Sequence, residues 1–263
     1  MARKHLILCL ALAFLALPLT TRAQDGEPEY LSTTDNDVQL RTGFELEKKF
    51  LNKFSVSWGE ELRLKDNFKE IDCVHSDISV SYKATSWLKF AAAYNFISID
   101  KRTSMKEDEK RWNFRHRISF ATTFSYKTSS NWAFSLREKV QTTFLNEDDI
   151  DEREKSDPKW VLRSRIMTQY KPKDIPFSPY VYVELSNTLN SPKLAGGEYL
   201  EKVRTAIGTV YKFDKHSSID FFYRFDYNFN KKINVKKKTG VLKSITEQTD
   251  YNNIFSVSYK YKF

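Results

Sequence analysis

From Ile219 to Phe229 the chain alternates strictly, residue by residue. Ile219, Phe221, Tyr223, Phe225, Tyr227 and Phe229 occupy one set of positions, and Asp220, Phe222, Arg224, Asp226 and Asn228 the other. A period of two places these rows on opposite sides of a pleated strand, so the segment predicts a strand with one apolar and one largely polar face. The last residues repeat the pattern, with Phe255, Val257, Tyr259, Tyr261 and Phe263 against Ser256, Ser258, Lys260 and Lys262. Along the whole chain the same test gives eleven strands, at about 38–50, 53–65, 72–83, 87–99, 111–127, 131–145, 159–171, 179–190, 200–213, 217–230 and 249–263. Short connections near Leu51, Ala84, Ser129, Asp174 and Lys215 alternate with long ones at about 66–71, 100–110, 146–158, 191–199 and 231–248. A Tyr-Lys pair recurs at Tyr82-Lys83, Tyr126-Lys127, Tyr170-Lys171, Tyr211-Lys212 and Tyr259-Lys260. A period of this length marks one supersecondary unit, here a hairpin, with most of the pairs closing a strand that enters a short turn.

Alternation alone does not say which face points inward. The predicted strands are longer than usual for soluble proteins and long enough to cross a bilayer when tilted. Short turns at one end and long loops at the other match the periplasmic and extracellular ends of an outer-membrane barrel. Tyr82, Trp87, Tyr126 and Trp132 flank the short-turn end, and Trp112 and Trp160 the long-loop end, as suits rings that are apolar in body and polar at the tip. The polar face carries Arg115, Arg117, Arg137, Lys139, Arg163, Arg165, Arg204 and Arg224. Buried dry, each such charge costs several kcal/mol; facing a wet lumen it costs little. The fold expected is therefore all-β, a transmembrane up-and-down antiparallel β-barrel over residues 37–263, with a soluble periplasmic β-protein as the alternative. Both chain ends are expected at the short-turn, periplasmic end, and the even parity this requires asks for about twelve strands, with ten as the alternative. "PEYLSTT", Pro28 to Thr34, within an N-terminal segment 24–36, is the candidate for a missing first strand, and "KKKTGVL", Lys236 to Leu242, reads as a hairpin tip that carries the last two strands beyond the membrane.

The front of the chain reads differently. Arg3, Lys4 and His5 precede the apolar run Leu6 to Leu17, and Thr21-Arg22-Ala23 offers small residues for cleavage before Gln24, so residues 1–23 are expected to be a signal peptide. The chain has 43 basic and 34 acidic residues; Arg3, Lys4 and Arg22 belong to the leader, which leaves 40 against 34. That mild, dispersed excess on an exported chain argues against nucleic acid as a partner. Cys9 falls in the leader, so Cys73 has no partner for an intramolecular disulfide.

The segments "FELEKKFLNKFSVSWGEELRL", "SYKATSWLKFAAAYNF" and "RWNFRHRISF" resemble an outer-membrane barrel family of the Bacteroidota known as domain of unknown function 2490. The likeness spans about residues 37 to 263. It implies a fold and a place in the outer membrane of a Gram-negative cell, and it brings no catalytic motif or functional residue with it.

Catalytic signals are sparse. No Ser-His-Asp order, metal-spaced His/Cys cluster or Gly-rich phosphate loop is present, no cofactor is expected, and an enzyme is not. His216 and Ser218 lie two residues apart, but in a short turn. Glu60, His116 and Glu138 fall on the apolar face, which fits a protomer interface or lipid chemistry, or else protonation, a site near the membrane interface, or a bulge at Gly59. On the polar face Arg41, Glu45, Glu47, Glu61, Arg63 and Asp77 belong to the first three predicted strands, and mostly arginines and lysines to strands five to seven. A partly acidic wall is then expected to look across the lumen at a basic one, either closing it with ion pairs or setting a transverse field in a narrow pore. The run 146–158 holds seven acids and two bases, and 231–247 six lysines and one acid. Charge runs are usually solvated faces; the alternatives are lysines on lipopolysaccharide phosphates, or two loops clasped over the mouth.

The function expected is a narrow diffusion channel for small polar solutes. A non-conducting structural or surface-binding barrel is the alternative, and a lipid-modifying enzyme the second alternative. The partners expected are outer-membrane lipid and lipopolysaccharide, with the barrel-assembly machinery reading the C-terminal strand that ends in Phe263.

Overall fold

The computed structural model describes residues 29–101, 112–145, 158–190, 200–235 and 242–263. The expected leader, the acidic run 146–157 and the tip 236–241 lie outside the described residues. Eleven strands follow in order: β1 (Glu29–Phe50), β2 (Phe54–Lys65), β3 (Glu70–Lys83), β4 (Leu88–Asp100), β5 (Trp112–Lys127), β6 (Trp132–Leu145), β7 (Lys159–Tyr170), β8 (Phe177–Thr188), β9 (Leu200–Lys212), β10 (Ser217–Val235) and β11 (Leu242–Lys262). Each pairs antiparallel with its neighbours in sequence, and β1 closes the barrel on β11. Strands β2 to β9 have 12 to 16 residues. At ~3.3 Å per residue and a tilt of about 40°, that is a wall about 30–40 Å tall.

Among the described residues the barrel closes with eleven strands, without the twelfth that parity demanded. β1 and β11 run parallel over nineteen pairs, from Glu29↔Ser244 to Glu47↔Lys262. A parallel ladder also satisfies the backbone groups of both edges, so an odd barrel closes without an orphaned edge. "EYLSTT" is the beginning of β1 itself, and the strand starts at the long-loop end and runs to the short turns. The start of β1 and the end of β11 therefore lie at opposite ends of the barrel, where both chain ends were expected at the short-turn end. A second difference is the connection at 66–71, which shrinks to Asp66–Lys69. Asp66, Asn67 and Phe68 all take left-handed φ angles of 50°, 55° and 69° there, a tight reversal in place of a long loop. The bulge considered at Gly59 is absent, since pairing is continuous on both sides of it, and the irregularity in β2 falls between Arg63 and Leu64.

Inside and outside separate by chemistry. Along β8, Ser178, Tyr180, Tyr182, Glu184 and Ser186 are buried, while Phe177, Val181 and Val183 are exposed. Trp58, Ile78, Val80, Phe120, Phe134, Ile166, Ile207 and Phe255 likewise stand exposed on the outer face. Pro179 sits within β8, facing β9, one residue short of where the ladder to β7 begins at Tyr180. Its missing N–H thus costs no strand hydrogen bond. β1, β10 and β11, with 22, 19 and 21 residues, outrun the rest at the long-loop end.

Candidate functional site

Among the described residues the lumen holds two cavities, one toward each end, with a waist between them. The cavity at the short-turn end, about 860 Å³, is lined by Glu45, Glu61, Asp77, Lys139, Lys171, Lys212, Lys260 and Lys262 among others. The cavity at the long-loop end, about 680 Å³, is lined by Arg41, Glu61, Arg63, Arg115, Arg117, Arg163, Lys202, Arg204, Arg224 and Asp226. Glu61 borders both. On the β7 to β10 side the waist is filled by Tyr180, Tyr182 and Ala206, with Met167 and Phe222 packed against them. Arg165 lies over the Tyr182 ring at 4.0 Å, an arrangement that holds a guanidinium flat against the wall. Tyr180 donates to Asp220 at 2.8 Å.

Above the aromatics lies a charged layer built by register. Arg137 of β6, Arg165 of β7, Glu184 of β8, Arg204 of β9 and Asp226 of β10 are successive cross-strand neighbours. Arg163, one inward position from Arg165, turns down to join them. Glu184 is 0% exposed and its two oxygens are surrounded. Oε1 accepts from Arg163 Nε at 2.8 Å and Nη2 at 2.5 Å, and from Arg204 Nη1 at 2.6 Å. Oε2 accepts from Arg137 Nη2 at 2.9 Å and Arg165 Nε at 2.8 Å. Asp226 takes Arg224 Nε at 2.6 Å and Arg204 Nε at 3.2 Å. Charge-assisted bonds of this kind are the strong ones, and a carboxylate at the centre of several guanidinium groups is held from every side.

Every inward residue picked out in the sequence has its place in this frame. Arg41, Glu61, Arg63, Arg115, Arg117, Arg163, Arg204 and Arg224 line the long-loop cavity; Glu45, Asp77 and Lys139 line the short-turn cavity. Arg137 and Arg165 sit on Glu184, and Glu47 pairs with Lys260 at 3.2 Å and Lys262 at 3.5 Å near the short-turn mouth. Of the two alternatives, ion pairs from an acidic wall across the lumen to a basic one are not what joins these charges among the described residues. The ion pairs run along the wall: Arg63 with Glu61 on β2 at 2.5 Å, Lys260 of β11 with Glu45 of β1 at 2.5 Å, and the arginines of β6, β7 and β9 with Glu184 of β8. Adjacent inward residues reach one another with short side chains, whereas a contact across the lumen would have to span it. Arg41 Nε, Arg137 Nε and Asp77 Oδ1 are buried without a hydrogen-bond partner.

At the short-turn mouth the Tyr-Lys repeat becomes legible. Tyr82 and Tyr211 pack outside against Phe54 and Phe177 with their rings tilted, and the lysine that follows each points the other way. Lys127, Lys171, Lys212 and Lys262 gather around the opening. Desolvation at the mouth, and then repulsion by Lys127, Lys212 and Lys262, pulls the Lys171 ammonium below its ordinary value.

Glu60, Glu138 and His116, the ionisable residues picked out on the apolar face, are each hydrogen-bonded to an outer neighbour. Ser76 donates to Glu60 at 2.7 Å and Ser164 to Glu138 at 2.6 Å, and Tyr94 Oη meets His116 Nδ1 at 2.7 Å. His216 Nδ1 is engaged by the Lys262 carbonyl at 2.6 Å, away from Ser218.

Glu184 and Asp226 are the central residues that sequence reasoning did not single out. In "YVYVELSNT" both faces of β8 carry apolar or aromatic residues, so hydrophobicity gave Glu184 no side. Its signal was the two-residue step from Tyr180 and Tyr182 combined with the register to Arg165 and Arg204.

Residues 39–237 match the family described as protein of unknown function (DUF2490). No curated protein matches the chain. Among solved structures, a NanC porin is similar at TM-score 0.44 and 11% identity, over 72% of this chain and 87% of that one. OmpT, an outer membrane protein of Vibrio cholerae, is similar at TM-score 0.38 and 12% identity, over 76% of this chain and 57% of that one.

Proposed function

We propose, for a chain that belongs to the DUF2490 family, a β-barrel of the outer membrane of a Gram-negative cell whose lumen passes small anions through a charged waist. The observation that carries the proposal is the lining of the long-loop cavity, where nine Arg and Lys face four acids. Such a surplus inside a low-dielectric wall raises the local concentration of anions and repels cations. The membrane setting is supported by the outer face: an apolar belt about 30 Å tall, with its few ionisable groups hydrogen-bonded to neighbours, suits hydrocarbon and not water. Tyr and Trp at both ends suit the interfaces.

One observation favours a second reading, a barrel that does not conduct. The waist is filled by Tyr180, Tyr182 and Phe222, and Glu184 has no exposed surface. Purified protein in a planar bilayer separates the two. The channel reading expects discrete steps and, under a KCl gradient, a reversal potential of the sign set by chloride. Replacing Arg115 and Arg117 with Glu, which leaves the Glu184 contacts intact, moves that potential toward potassium. Protein that inserts but gives no steps refutes conduction.

A further inference from the structure

We infer that the four arginines around Glu184 form a binding site for the carboxylate of a solute, occupied in this structure by the protein's own side chain. The inference deepens the anion reading, on which its role in transport rests, by naming the class of anion. A halide offers one point of charge, and nothing in a ring of guanidinium groups selects it. A carboxylate offers two oxygens in a plane, and here both are addressed from different sides: Arg163 and Arg204 on one, Arg137 and Arg165 on the other. Guanidinium groups fixed in this way recognise a planar, two-oxygen acceptor.

The site also has capacity that Glu184 leaves unused. Among the described residues, Glu184 and Asp226 are the acids bonded to Arg137, Arg163, Arg165, Arg204 and Arg224, so charge in the layer is unbalanced toward the cations. Arg137 Nε is buried with no acceptor. The site is within reach from one side, because Arg163 and Arg204 also line the long-loop cavity of about 680 Å³. A small carboxylate in that cavity meets two of the four arginines before it reaches the aromatic waist. It competes with the Glu184 side chain for them, and a displaced Glu184 is the step that loosens the layer.

Chemical complementation tests this without requiring conduction. Glu184→Ala removes the resident carboxylate and leaves the four arginines in place. The expected result is that acetate or formate raises the unfolding temperature of Glu184→Ala in detergent micelles, relative to chloride at equal ionic strength. The effect should saturate on the order of millimolar, as befits a ligand of so few atoms. Wild type, in which acetate must first displace Glu184 and so exchanges one set of contacts for another, should gain no stability at these concentrations, and acetamide should be inert in both. If Glu184→Ala does not fold in chloride, refolding into micelles with acetate should restore the folded form seen by heat-modifiable gel mobility. Glu184→Gln, which fills the space with a neutral group, should show no acetate effect. Acetate that does no better than chloride, or that stabilises Glu184→Gln and wild type equally, overturns the site. A rescued variant with a silent bilayer would refute the channel and keep the site; a conducting barrel without rescue would do the reverse.

Discussion

Gly208 offers a sharp test of how the waist is packed. It lies on the inner face of β9, directly opposite Tyr180 of β8 and Phe222 of β10. A Cβ added there meets the Phe221 carbonyl oxygen at 2.6 Å, Phe222 Cβ at 2.7 Å and Tyr180 Cζ at 2.7 Å. All three are well inside ordinary van der Waals contact, and two belong to backbone or to a Cβ that moves only with it. Overpacking of this kind costs about 1–3 kcal/mol. Against it stands the gain of about 0.4–1 kcal/mol from a less free unfolded chain. Gly208→Ala is therefore expected to destabilise by roughly 1–2 kcal/mol. Equilibrium urea unfolding in lipid vesicles, followed by tryptophan fluorescence, measures it. The Tyr180 ring is one of the three contacts, so Tyr180→Leu in the Gly208→Ala background should recover about 0.5 kcal/mol or more in a double-mutant cycle. A Gly208→Ala protein as stable as wild type, or a cycle with zero coupling, would refute the claim that the ring lies across this glycine.

Other expectations follow from the same frame. Reversing Lys127, Lys171 and Lys212 to Glu should lower anion selectivity in a bilayer without changing the folded fraction. Because the Lys171 ammonium is held below its ordinary value, wild-type selectivity should begin to fall, as pH rises, before a free lysine would titrate. On the outer face, Ser164→Ala alone strips the Glu138 carboxyl of its partner and should cost about 1–3 kcal/mol in vesicle unfolding, whereas Ser164→Ala with Glu138→Leu should be near neutral. The parallel seam is tested with single cysteines in a Cys73→Ser background and an impermeant maleimide on intact cells. Thr33→Cys and Asn67→Cys should label together, and Ser130→Cys and Lys215→Cys only after permeabilisation. Labelling of Thr33→Cys with the Ser130→Cys group would contradict the seam.

The strands were legible because each carries its own period. Ile219 to Phe229 shows two faces in eleven residues, and nothing outside the segment is needed to see them. Closure was not legible in the same way. Whether β1 meets β11 antiparallel through a twelfth strand or directly in parallel depends on the two ends of the chain, which no local pattern links. "EYLSTT" carries no clear apolar face, with Tyr30 and Leu31 on opposite sides, because β1 rises there beyond the belt, where Glu29 to Asn36 are exposed, so it reads as weak strand. The inward arginines were legible as a set, since a charge on the polar face has one direction to point. Their carboxylate was not, since Glu184 follows Tyr180 and Tyr182 on a strand with no polar face to count from.

The Tyr-Lys repeat shows how sequence and function meet in this architecture. In a strand, neighbours in sequence face opposite ways, so two adjacent residues address two different surroundings. Tyr at the short-turn rim puts an aromatic body against the apolar belt and a hydroxyl toward water; the next residue can only face the opening. Placing Lys there on alternate strands, at Lys127 of β5, Lys212 of β9 and Lys171 just beyond β7, with Lys262 of β11 beside them, turns a rule for anchoring a barrel into a cationic collar around its mouth. The repeat length is then set by the hairpin: two strands and their turns must pass before the chain returns to the same rim. A cationic rim and an aromatic anchor come from one dipeptide that recurs from hairpin to hairpin, and separating them is a matter of changing one residue of the pair at a time.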